Sequence, residues 1–171
     1  EYLPGEDLTA ILREANNHGT PIPYPIVGAI IHQSAAGLHY AHELKDRDGL
    51  PANFIHRDVS PSNIVVTYHG VTKLLDFGIA KARTLDSTTR EGSFKGKLMH
   101  CAPEQLTEAT IDRRSDVFAL GIIFWELLTG QPLFAAGSDG AIMDAVRNRP
   151  ISRPSEIRPG IPPELDDIAL R

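Results

Sequence analysis

Apolar residues recur along the chain at two different periods, and the change of period marks where the elements should change. Over residues 25–43, Ile26, Ile30, Ile31, Ser34, Leu38 and Ala41 follow steps of three, four and their sums. That spacing lays one apolar or small face along a helix. Ile64-Val65-Val66 and residues 71–75 are instead short runs rich in β-branched residues, joined by Tyr68-His69-Gly70, and they predict a β-hairpin. Residues 8–16 read as a helix that Asp7 can cap and Gly19 can end. Residues 116–129 are apolar nearly all round, through Val117, Phe118, Leu120, Ile122, Ile123, Phe124, Trp125, Leu127 and Leu128. A helix with so little polar face must be buried, so it is the expected spine, closed by Gly130. Residues 138–149 predict another helix and residues 163–171 a last one. Between them Pro150, Pro154, Pro159, Pro162 and Pro163 mark a stiff surface loop. Residues 45–53, charged and rich in turn formers, are an expected exposed loop. The pattern gives a mainly α chain with one small hairpin.

Composition narrows the class. With 171 residues, 42% of them hydrophobic and 23% charged, the chain has one domain's worth of sequence and the make-up of a globular protein. Its net charge of −5 argues against a general nucleic-acid partner, which needs a basic face. Cys101 is the only cysteine, so no internal disulfide is expected and a reducing, cytoplasmic setting fits. The longest apolar run, residues 117–125, stops at Glu126, well short of the ~20 residues that cross a bilayer, so no membrane segment is expected. His32, His39 and His42 lie along the second helix. A metal site needs three or four convergent ligands, so these are expected as surface histidines.

The candidate chemistry is concentrated in His56-Arg57-Asp58-Val59-Ser60-Pro61-Ser62-Asn63 and Asp76-Phe77-Gly78, which flank the hairpin. Phosphoryl transfer requires a carboxylate near the attacking hydroxyl and hard oxygen ligands for Mg²⁺, because the transferred charge must be neutralised and aligned. Asp58, Asn63 and Asp76 supply those groups, and the hairpin brings the last two together. An isolated Asp in a turn is more often a hydrogen-bond organiser. The assembled pattern reverses that order. The His-Arg-Asp triplet with Asn63 after it, then Asp76-Phe77-Gly78, Ala102-Pro103-Glu104 and the Asp116 to Gly121 stretch, resembles the catalytic core of the eukaryotic-like Ser/Thr protein kinases of bacterial type. The resemblance runs from Glu1 to about Arg171.

It implies a protein kinase-like C-lobe, a helical lobe with a small hairpin at the catalytic site. Glu1 and Leu3 would lie in a hinge whose backbone pairs with the adenine of ATP. Asp7 would meet the ribose hydroxyls while also capping its helix, and Val65 would floor the adenine pocket. Asp58 would accept or orient the substrate hydroxyl proton, and Asn63 and Asp76 would hold Mg²⁺ against the phosphates. His56 and Phe77 would set the geometry by packing, and Asp116 would accept backbone N–H groups of the catalytic loop. The segment 79–101 carries Lys81, Arg83, Arg90, Lys95 and Lys97 among Thr84, Ser87, Thr88, Thr89 and Ser93. A phosphate added there would pair with Arg57. The family's Gly-rich loop, strand lysine and helix glutamate precede the hinge. Residues 1–171 are therefore expected to be a partial domain, inactive without its N-lobe as partner, with the final helices absent as well. Glu104 is expected to pair with an Arg of those helices, and its absence to lower stability.

Two positions depart from the common form. Ser60 stands where most Ser/Thr kinases carry a lysine, and Lys97 stands where they carry a threonine that bonds the catalytic Asp. A reciprocal swap is expected, in which Lys97 supplies the cation and Ser60 the hydroxyl. His100 and Cys101 also replace commoner residues. The expected function is ATP-dependent phosphoryl transfer to Ser/Thr hydroxyls of a protein substrate. The alternative is a pseudokinase or truncated lobe that acts as an interaction module; a small-molecule phosphotransferase is disfavoured, and tyrosine specificity stays open.

Overall fold

The apolar stretch around Trp125 is the axis on which the other elements are hung. The computed structural model describes residues 2–77, 96–107 and 109–171. In chain order these hold β1 (Gly5–Asp7), α1 (Leu8–Asn17), α2 (Tyr24–His42), β2 (Ile64–Thr67), β3 (Thr72–Leu74), α3 (Arg113–Thr129), α4 (Asp139–Asn148), α5 (Pro154–Ile157) and α6 (Pro163–Ala169). Short 3-10 turns at Pro61–Asn63 and Pro103–Leu106 precede β2 and α3.

Helix α3 begins one turn earlier than its apolar run, because the Asp112 carboxylate accepts the Arg114 N–H at 2.8 Å and caps it. It ends at Gly130, whose φ of 73° is a left-handed conformation that suits glycine. Its lack of a polar face has a simple cause: it separates two apolar clusters. Leu120, Ile123, Phe124, Leu127 and Leu128 pack with Leu8, Val27, Ile30, Leu38 and Ile64 from α1, α2 and β2. Ile122 and Trp125 point the other way, into Leu98, Phe134, Ile142 and Val146 beside α4. Each fully buried aliphatic side chain contributes roughly 1.5–3 kcal/mol. Val117 is the exception, largely exposed near the start of the helix.

In α2 the buried positions are Val27, Ile30, Ser34, Leu38 and Ala41. The stripe is therefore in phase with Val27, which is 1% exposed, and not with Ile26, which is 51% exposed and one position off it. The helix packs along α3 and onto β3, where Gly37 allows close approach: a Cβ there would lie 3.1 Å from Leu74 Cδ1. Gln33 closes the open edge of the hairpin, its Oε1 accepting the Thr72 N–H at 3.0 Å and its Nε2 donating to the Gly70 carbonyl at 3.3 Å.

The hairpin is part of a three-stranded antiparallel sheet in the order β1-β2-β3. Strand β1 is an addition to the sequence expectation of an extended link. It pairs Gly5 with Thr67, Glu6 with Val66 and Asp7 with Val65. A Cβ on Gly5 would stand 2.3 Å from the Val66 carbonyl oxygen, so glycine is what lets this strand dock. The loop over residues 45–53 is ordered by an Asx turn, with Asp46 Oδ1 accepting the Asp48 and Leu50 N–H groups at 2.9 Å each. The proline-rich stretch contains α5, tied to α6 by the buried Asp166, which accepts the Ser155 N–H at 2.9 Å. Among the described residues no helix is long and apolar enough to cross a membrane.

Candidate active site

The loop before β2 is held from below by one carboxylate. Asp116, on the first turn of α3 and 1% exposed, accepts the His56 N–H through Oδ2 and the Arg57 N–H through Oδ1, each at 2.8 Å. His42 Nε2 lies 2.7 Å from the same Oδ2. His42 thus departs from the surface position expected of it: its side chain, at the end of α2, is only 7% exposed and meets the Asp116 carboxylate. His39, one turn earlier, is exposed as expected. Arg57 sits at φ 63°, a left-handed conformation that costs a non-glycine residue about 1–3 kcal/mol and persists only when its surroundings impose it. Asp116 grips its N–H, and Gln105 Nε2 donates to its carbonyl at 3.0 Å. Between them they fix both sides of this residue.

The same loop is tied to the strands on its other side. His56 is fully buried; its Nδ1 accepts the Asp58 N–H at 3.3 Å, so the proton sits on Nε2, which donates to the Leu75 carbonyl at 2.9 Å. Its ring lies 4.6 Å from that of Phe77. Asn63 Nδ2 donates to the Asp58 carbonyl at 2.8 Å, and the Asn63 carbonyl accepts the Leu75 N–H at 2.8 Å. Asn63 and Asp76 therefore flank the paired ends of β2 and β3, with Asp76 turned by a left-handed φ of 51°.

Lys97 Nζ lies 3.2 Å from Asp58 Oδ2. The lysine is 38% exposed and the carboxylate 13%, so solvent screens part of their attraction. Ser60, two residues after Asp58, is buried, with its Oγ 3.0 Å from Ser62 Oγ.

Residues 96–106 follow Lys97 along the site. Ala102 N–H donates to Gln105 Oε1 at 2.9 Å, so one Gln side chain links this segment to the loop that carries Asp58. His100 is buried against Glu126 of α3. Glu104 accepts a 2.5 Å hydrogen bond from Ser115 Oγ, so it already has a local partner beyond the Arg expected from the resemblance. Periodicity alone did not single out Gln105, Ser115 or Glu126. The one signal was Glu126 itself, a charge inside an otherwise apolar helix.

Asp7 caps α1, its Oδ1 accepting the Ala10 N–H at 2.8 Å, and it is the register partner of Val65. Leu3 is half-buried just before β1. Glu1 lies outside the described residues, as do Gly78 and the hydroxyl and basic positions of residues 79–95.

The structure thus joins a helical body with a small sheet, a carboxylate-bearing loop clamped on a buried Asp, and an Asn and an Asp at paired strand ends. The protein kinase domain family matches residues 1–167, and the chain belongs to that family. It is 44% identical over 171 residues to the tyrosine-protein kinase MasK of Myxococcus xanthus, covering 100% of this chain and 26% of that protein. It is 37% identical over 169 residues to the serine/threonine-protein kinase PknH of Mycobacterium tuberculosis, covering 99% of this chain and 25% of that protein. The serine/threonine-protein kinase PknE of the same species is 38% identical over 169 residues, covering 99% of this chain and 28% of that protein. The chain thus spans about a quarter of the length of these curated relatives. Protein kinases transfer a phosphoryl group to protein substrates and as a family use ATP and Mg²⁺.

Proposed function

We propose that residues 1–171 are the hinge and larger lobe of a kinase that moves the γ-phosphoryl group of ATP to Ser or Thr hydroxyls of a protein substrate. The observation that carries this reading is the Lys97 ammonium 3.2 Å from the Asp58 carboxylate, on a loop whose backbone is held from both sides. Asp58 orients the substrate hydroxyl and receives its proton. Lys97 offsets negative charge on the transferred group, the task lost at position 60. The Ser60 hydroxyl, a rotor now shared with Ser62, takes the place of the hydroxyl lost at position 97.

Asn63 and Asp76 are the Mg²⁺ ligands in this reading. The donor set suits the ion: the Asn63 nitrogen is committed to the Asp58 carbonyl, which leaves the amide oxygen as ligand beside a carboxylate, both hard oxygen donors. When bound, the ion neutralises phosphate charge. Glu1 and Leu3 offer backbone groups to adenine, Asp7 the ribose contact, and Val65 the floor. The Gly-rich loop and strand lysine would come from a small lobe outside residues 1–171. Gly96 before Lys97 favours Ser/Thr over tyrosine acceptors, and phosphoamino-acid analysis of the product distinguishes them.

The test is Lys97→Ala in a complete kinase that contains residues 1–171. Removal of a preorganised charge-stabilising group costs ~10²-fold or more in rate. Transfer at the parental rate would exclude Lys97 from the chemistry. No transfer by the parent, with its nucleotide site complete, would favour a non-catalytic interaction module.

A further inference from the structure

His100 is buried, 8% exposed, with a hydrogen-bond acceptor at each ring nitrogen. Nδ1 is 3.0 Å from the Gly96 carbonyl and Nε2 is 2.9 Å from Glu126 Oε2. A carbonyl has no proton to give, and the other carboxylate oxygen, Oε1, is occupied by the Leu133 N–H, which it accepts at 3.1 Å. A neutral imidazole carries one N–H and could serve only one of its two neighbours. The doubly protonated ring serves both.

Among the described residues, no other charged side chain is hydrogen-bonded or ion-paired to the ring. Helix α4 faces this region with Ile142, Ala145 and Val146, which cluster with Leu98. Arg149, just after α4, donates to the Leu133 carbonyl at 3.0 Å. Lys97, on the histidine's own segment, is directed to Asp58. Burial by itself pushes the imidazole down, but the hydrogen bond to Glu126, the charge of Glu126 and the Gly96 carbonyl together outweigh it and hold the pKa above the ordinary histidine value.

We propose that His100 is a positioning residue of the phosphoryl-transfer site: an imidazolium locked between the Gly96 carbonyl and the Glu126 carboxylate that pins residues 96–102 to α3 and so keeps Lys97 beside Asp58. The role in transfer rests on the kinase reading above; the lock itself does not. The histidine closes a turn of its own segment through Gly96, the residue next to Lys97, and fastens that turn to the central helix through Glu126. Because the folded pKa is raised, the contribution is fully present below about pH 6.5, the ordinary value. It is lost as pH rises through the raised one.

The lock is tested by ¹⁵N NMR of the histidine rings in the whole protein, with the His100 signals assigned by their disappearance in His100→Tyr. Both ring nitrogens of His100 are expected to be protonated at pH 6, and Glu126→Gln is expected to move its titration midpoint down. An unprotonated ring nitrogen at pH 6, or a midpoint indifferent to Glu126→Gln, overturns the lock. The positioning role is tested kinetically in a complete kinase, with myelin basic protein as acceptor. His100→Phe is expected to lower kcat/KM for the protein about tenfold, the size of one charge-assisted hydrogen bond, with KM for ATP unchanged. His100→Tyr, which keeps one donor toward Glu126, is expected to recover most of the loss and to abolish the alkaline fall in activity attributable to the histidine. A parental kcat/KM in His100→Phe, or an alkaline limb unchanged in His100→Tyr, overturns the role. A parent that transfers no phosphate refutes the kinase reading, while the ring-nitrogen result still decides the lock.

Discussion

Asp116→Asn changes one atom's chemistry and almost no volume, so it isolates what the buried carboxylate does for the loop above it. In the parent, one oxygen takes the His56 N–H and the His42 ring and the other takes the Arg57 N–H. An amide has one oxygen. If that oxygen keeps the His56 side, its NH₂ group confronts the Arg57 N–H, donor against donor; if it turns over, His56 and His42 lose their acceptor. A hydrogen bond to an ionised group contributes about 1.5–3 kcal/mol, and an orphaned buried donor costs about 1–3 kcal/mol. The left-handed Arg57 adds strain that the lost grip no longer offsets, part of the usual 1–3 kcal/mol for such a residue. These terms overlap, and a net loss of about 3–5 kcal/mol is expected, a large share of the 5–15 kcal/mol that holds a typical domain together. Urea unfolding followed by Trp125 fluorescence and by circular dichroism measures it; with a slope near the usual ~2 kcal/mol/M the midpoint falls by about 1.5–2.5 M. A loss below about 1 kcal/mol at unchanged slope would refute the claim that Asp116 bears the loop.

Gly5→Ala places a methyl group 2.3 Å from the Val66 carbonyl oxygen, so β1 must move off β2, and a loss of about 1–3 kcal/mol in thermal unfolding is expected. An unchanged melting temperature would mean that the strand shifts without cost. Ser115→Ala removes the hydroxyl that donates to Glu104, and about 1–2 kcal/mol should be lost in urea unfolding. A neutral result would show that Glu104 is satisfied elsewhere.

What the sequence made legible and what it hid divide along the range of the interactions. The helices around Leu38 and Leu127 and the turn at Gly70 were readable because local period and turn chemistry fix them. Strand β1 was not readable, since Gly5-Glu6-Asp7 has little strand propensity and is extended only because β2 lies beside it. The α2 stripe is buried as expected at Ile30, Ser34, Leu38 and Ala41, but its first position is Val27 and not Ile26, because both are apolar and only packing chooses between them. The errors over polar residues share a deeper cause. Buried polar side chains persist only with partners, and partners can be far away in sequence: His42 meets Asp116 across 74 positions and His100 meets Glu126 across 26. No window of local sequence contains either pair. Both acidic members nevertheless sit on α3, within residues 116–129, which are apolar nearly all round. A carboxylate in such a helix must be matched from another element. Asp116 is matched by the loop that carries Asp58 and Glu126 by the segment that carries Lys97. The central helix thus fixes the two sides of the site relative to each other through its two buried acids.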